Sequence, residues 1–72
     1  MPDWVHTRRR AIGDRIRTLR RYAGLSQLQL GERIGRDHKT IHRWEAASTE
    51  PTLTDLLLLA DALGVPLADL VR

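Results

Sequence analysis

The 72-residue chain has no cysteine and no phenylalanine, and its aromatic residues are limited to Trp4, Tyr22 and Trp44. Without thiols there is neither a disulfide framework nor a thiolate metal site. The longest apolar run, Leu56 to Ala60, falls far short of the roughly 20 residues that a membrane span needs. Aromatic and β-branched residues are scarce, and no period-two alternation lasts beyond a few positions, so strands are not expected. The N-terminus does not resemble a signal peptide, because Asp3 comes before the arginines and no apolar stretch follows them. These absences favour a soluble, cytoplasmic protein, associated with the nucleoid if its partner is DNA. There is no glycine-rich phosphate loop. The two serines, Ser26 and Ser48, lack the flanks of an activated nucleophile. A chain of this size buries only about 60% of its unfolded surface, too little for a deep, walled substrate pocket. Enzyme activity is therefore not expected.

The charge is unevenly spread. The net charge is only +3, yet Trp4 to Arg43 holds 11 Lys/Arg against Asp14, Glu32 and Asp37. Trp44 to Arg72 holds five acids against Arg72 alone. A basic first half joined to an acidic second half suggests one face for a polyanion and another for something else.

Apolar residues recur at helical spacing in five blocks. Ile12, Ile16 and Leu19 mark the first, which stops at Gly24; Asp3 is a candidate N-cap, so residues 1–10 are either an extension or the start of this helix. Ser26 caps the second, which carries Leu30 and Ile34 and ends at Gly35. Asp37 caps the third, with Ile41 and Trp44 turned inward. Thr52 and Asp55 have the spacing of a capping box ahead of Leu53, Leu56, Leu57, Leu59, Ala60 and Leu63. Pro66 opens a short fifth turn with Leu67, Leu70 and Val71. Connections this short give one small domain over 1–72, not a repeat array.

Residues 26–45, SQLQLGERIGRDHKTIHRWE, read as two short helices crossing steeply about a tight turn at Gly35-Arg36. Gly35 suits a positive φ. Gly31, in mid-helix, is either a weak spot or the place where the next helix packs against the backbone.

On these residues the chain resembles the Cro/C1-type (XRE-family) helix-turn-helix domains, the group that includes the phage lambda repressor. The matching pattern comprises Ile16, Leu19-Arg20, Gly24-Leu25-Ser26-Gln27, Leu30, Gly35, Thr40-Ile41, Arg43 and Glu45. It continues through Pro51-Thr52-Leu53 and Ala62 to Leu67, so that it covers roughly Ala11 to Val71. The resemblance implies an all-α, compact five-helix, lambda-repressor-like domain. It also implies a sequence-specific regulator of transcription, a repressor, with residues 37–47 as recognition helix in the major groove of double-stranded DNA. Gly31 replaces the usual Ala, Arg36 an aliphatic residue and Ala47 a Gly, and the loop from Ala46 to Glu50 has no Lys or Arg.

With the third helix in the groove, His38, Lys39, His42 and Arg43 are the candidate base readers. Arg36 and Thr40 are candidate phosphate contacts, and the resemblance implies Gln27 and Arg20 as two more; Gln27 also opens a helix whose free N–H groups carry partial positive charge. The family match further implies an Arg20–Glu45 pair that locks the reading helix to the body. Trp44 shares a face with Ile41 and is read as core. His38 and His42 have a metal-compatible spacing, but no further ligand completes a site, so no metal or other cofactor is expected. Pairing of two copies on a palindromic operator would use Leu67, Leu70 and Val71, with Leu57 or Leu58, then Trp4 and Val5, as further candidates. Leu67 and Leu70 serve equally well to close the monomer's own core. The rival reading is a protein-interaction module, an antitoxin or an adaptor on the same fold.

Overall fold

Three helix starts in this chain coincide with side chains that accept a free backbone N–H. The computed structural model describes residues 1–72 and contains five helices and no strand. They are α1 (Asp3–Tyr22), α2 (Gln27–Ile34), α3 (His38–Glu45), α4 (Leu53–Leu63) and α5 (Ala68–Val71). At α2, Ser26 Oγ accepts from the Gln29 N–H at 3.0 Å and Gln29 Oε1 accepts from the Ser26 N–H at 2.8 Å. This reciprocal box is more than the single cap expected there. Asp37 accepts from the Lys39 N–H at 3.1 Å to open α3. Thr52 and Asp55 form the box that opens α4, at 3.1 and 2.9 Å.

At α1 the expectation needs correction, because Pro2 is the cap and Asp3 is already helical. Proline supplies an extended residue before the helix, and Asp3 places its charge in the first turn, where the helix dipole favours an anion. Residues 3–10 are therefore the first turns of α1 and not a separate extension.

All five helices contribute to one core. Ile16 comes from α1, Leu30 and Ile34 from α2, Ile41 and Trp44 from α3, Leu59 and Ala60 from α4, and Leu70 from α5, with Leu25 between α1 and α2. α3 lies against both α2 and α1, and α5 folds back onto α1 and α4. Leu70, a candidate for pairing two copies, is fully buried in this core. It closes the monomer, at about 1.5–3 kcal/mol for burying one such side chain, and cannot face a second copy.

Two glycines allow backbones to meet. A Cβ on Gly13 of α1 would lie 2.7 Å from the carbonyl oxygens of both Trp44 and Glu45, so α1 crosses the end of α3 at backbone contact. A Cβ on Gly31 would collide with the Arg36 carbonyl oxygen in the turn. Gly31 is thus a packing position. Helix propensity alone would have Gly31→Ala stabilise the chain by about 1 kcal/mol. The collision is with backbone, which cannot swing aside, and overpacking of this kind costs about 1–3 kcal/mol. The expected outcome is net destabilisation, read as a lower melting temperature. An increase would show that the turn relaxes freely.

Candidate nucleic-acid interface

Glu45 is the last residue of α3, and its side chain is wholly buried. Isolated, such a carboxylate would be strongly disfavoured. Here Arg20 of α1 meets it with two parallel bonds, Nε to Oε2 at 2.7 Å and Nη2 to Oε1 at 3.0 Å. Arg17 Nε and Gln27 Nε2 also donate to Oε1, at 3.4 and 3.2 Å. Burial by itself would raise the Glu45 pKa, but the bonds from Arg20, Gln27 and Arg17 and the charge of Arg20 outweigh it, and the carboxyl stays below its ordinary range. The bond to Glu45 likewise raises the Arg20 pKa.

The third donor of Arg20, Nη1, bonds the Leu25 carbonyl at 2.8 Å. Arg20 therefore ties together α1, the segment before α2, and the end of α3. Arg20 is thus turned inward and not toward the phosphate expected of it: each of its nitrogens makes a bond inside the protein, and its side chain is only 9% exposed.

Arg36 also differs from its expected role. It directs Nε and Nη2 at Asp55 Oδ1, at 3.1 and 2.7 Å, so the turn is fastened to the first turn of α4. Asp55 is nearly buried and would be raised by burial, yet the Thr52 N–H and Arg36 hold its pKa down. The arginine expected at phosphate is thus occupied by a carboxylate on another helix. Gln27 is half-buried, and its amide nitrogen faces Glu45 and, at 3.4 Å, His42 Nδ1. That leaves the backbone N–H groups of Gln27 and Leu28 as the free donors at the start of α2.

His38, Lys39, His42 and Arg43 are all exposed on α3, while Ile41 and Trp44 are buried. One side of the helix packs and the other carries donors and positive charge. Lys39 and Arg43 have no carboxylate partner. His38 Nδ1 lies 3.2 Å from Asp37 Oδ1. Asp37 is held below its ordinary range first by the bond from the Lys39 N–H, then by the nearby charges of His38, Lys39 and Arg43. Thr40 is half-buried beside this face.

Beyond α3, Ala47 takes a left-handed φ of 58°, a conformation that glycine adopts without strain. Arg9 of α1 holds the loop, with Nη2 3.4 Å from the Ala47 carbonyl and Nε 3.1 Å from Glu50. Arg10 and Arg17 flank a cleft of about 180 Å³ that also borders Asp14, Glu45, Ala46 and Ala47. Sequence reasoning missed the Arg9 tether, the Arg36–Asp55 pair and the Gln27–His42 contact. Each joins residues 15 to 38 positions apart that no helical period relates. For Arg36 the α4 capping box located Asp55 but gave no sign of its second partner.

A family model described as a helix-turn-helix domain matches residues 11–72. The chain is 38% identical over 52 residues to Repressor protein C2 of Salmonella phage P22, an alignment covering 72% of this chain and 24% of the repressor. It thus spans about a quarter of that protein's length. Among solved structures, it is similar to the restriction-modification controller protein C.AhdI from Aeromonas hydrophila. The TM-score is 0.82 at 33% identity, covering 85% of this chain and 92% of that one.

Removing one partner of a buried ion pair strands the other, at about 3–5 kcal/mol, as much as a domain of this size possesses. Arg20→Ala is therefore expected to leave the chain largely unfolded at room temperature by circular dichroism. Arg20→Met combined with Glu45→Leu should fold, because no buried charge is left unpaired and Arg17, 37% exposed, is solvated instead. Since the folded-state pKa of Glu45 is depressed, its contribution is complete above the usual glutamate value of about 4.3 and is lost as pH falls through the lower, folded value. The melting-temperature difference between wild type and the double variant should be constant above about pH 5 and shift in the variant's favour at lower pH.

Proposed function

The chain belongs to the helix-turn-helix domain family of the Cro/C1 type, and on that premise we propose that it is a sequence-specific double-stranded DNA-binding regulator of transcription, acting as a repressor. The observation that carries this reading is the exposed side of α3. His38, Lys39, His42 and Arg43 stand there together, on a helix whose opposite side is packed and whose end is locked by Glu45. An interaction module has no need of a basic, donor-rich face at that place.

In this reading the first turns of α3 enter the major groove. Lys39 and His38 meet base edges, with Arg43 and His42 further along the helix. The free N–H groups of Gln27 and Leu28 point to a phosphate, as the positive end of α2 favours. Thr40 adds a contact to phosphate or to a thymine methyl group. Arg10, exposed beside the loop that lacks Lys and Arg, is a further backbone contact. Repression requires only that the domain occupy a promoter.

One recognition helix covers about half a turn of duplex, so two copies on a palindromic operator are the natural arrangement. Leu67, half-buried, and Val71, 37% exposed, remain as contacts between copies, with the exposed Leu57 or Leu58 as further candidates. Leu70 is excluded by its burial.

The test is selection from a random duplex pool, followed by titration of the winner at two salt concentrations. A palindromic site bound at least about a thousandfold better than random DNA supports the reading. Binding that ignores sequence and vanishes with salt would leave only phosphate attraction. On the selected site, Lys39→Ala should cost about 1–3 kcal/mol while binding to random DNA barely changes. An equal loss on both would make Lys39 a phosphate contact.

A further inference from the structure

The side-chain amide of Gln27 lies between a carboxylate and an imidazole, and the carboxylate decides which way it faces. Glu45 Oε1, 3.2 Å away, can only accept, because the carboxyl is ionised and paired with Arg20. The amide oxygen in that place would set two acceptors against each other, so the group facing Glu45 is the NH2. The same nitrogen is 3.4 Å from His42 Nδ1, at the long end of hydrogen-bond range. An NH2 has two protons, one for each neighbour. His42 Nδ1 must then be the unprotonated nitrogen, and the proton of the neutral ring sits on Nε2.

We propose that Gln27 is a positioning residue that holds His42 as its Nε2–H tautomer, so that His42 meets DNA as a hydrogen-bond donor and selects a guanine at one operator position. This rests on the DNA-binding reading of α3. His42 is exposed on the same face as Lys39, so a donor at Nε2 is available to the groove. Guanine answers a donor best, since its major-groove edge presents two acceptors, N7 and O6. Cytosine offers a donor there and is rejected. The sequence of contacts runs from the buried pair outward: Arg20 fixes Glu45, Glu45 fixes the Gln27 amide, and Gln27 fixes the ring. Body packing thereby reaches a base-reading side chain through four residues.

The first measurement is made on the free protein. Ring 15N shifts are recorded at about pH 8.5, where imidazoles are neutral. His6, exposed and without a hydrogen-bond partner, is the internal reference. His42 should be more one-sided toward Nε2–H than His6, and Gln27→Ala should bring the two into line. Melting of this variant checks that the Arg20–Glu45 pair still holds the fold. The second measurement repeats the duplex selection with wild type, Gln27→Ala and His42→Ala. One guanine enriched by wild type should be lost with His42→Ala and weakened about fivefold with Gln27→Ala, the worth of one neutral hydrogen bond, while positions set by Lys39 are unchanged. A His42 ring that matches His6 in wild type, or a guanine preference indifferent to Gln27, would overturn the proposal. The ring measurement needs no DNA. A one-sided ring together with a pool that yields no enriched sequence would instead overturn the DNA-binding reading.

Discussion

The bidentate pair between Arg20 and Glu45 is the interaction on which the rest of the structure depends. It joins the longest helix to the last residue of α3, and the third nitrogen of Arg20 holds the carbonyl of Leu25 just before α2. Apolar burial alone would bring these helices together but would leave their rotation loosely set, because a contact between Leu and Ile tolerates sliding. Two parallel bonds of fixed geometry do not. An ion pair of this kind adds little stability over a well-packed apolar substitute. Its contribution is to orientation, and orientation is what a reading helix requires.

Close backbone approach supports that orientation. Gly13 lets α1 touch the carbonyls at the end of α3, and Gly31 lets α2 receive the turn. Arg36 and Asp55 then tie the turn to α4, and Arg9 ties the loop beyond α3 to α1. These restraints on α3 come from its buried side or its ends, while Gln27 reaches its exposed side at His42. On the exposed side Lys39 and Arg43 are unpaired, as are Arg8, Arg10, Arg15 and Arg21 of α1 and Arg33 of α2, whereas Arg9, Arg17, Arg20 and Arg36 are engaged by carboxylates. Positive charge that is neither packed nor paired is available to a polyanion.

Much of this was legible in the residues, for identifiable reasons. Ser26, Asp37, Thr52 and Gly35 mark helix ends through local hydrogen bonds and a positive φ, so a few neighbouring residues suffice to locate them. Ile41 and Trp44 declare the buried side of α3 by spacing alone. What was not legible is where long side chains go. Arg36 looks like a surface charge in a basic half, and only the fold shows Asp55 within its reach, whereas the family pattern already paired Arg20 with Glu45 and missed only its bond to Leu25. Leu70 fits either a core or an interface by pattern, and the return of α5 onto α1 decides for the core. The Asp3 expectation failed because the extended Pro2 starts the helix one residue earlier, without a side-chain cap.

In the DNA-binding reading proposed above, the exposed side of α3, presented by this locked body, is the surface that meets DNA. Mapping amide shifts of the labelled protein during titration with a selected duplex tests it most directly. The largest changes should fall on His38 to Arg43 and at Gln27 and Leu28, with α4 changing little. Changes concentrated on Leu53 to Leu63 and α5, with α3 silent, would contradict it and turn attention to a protein partner for the acidic half.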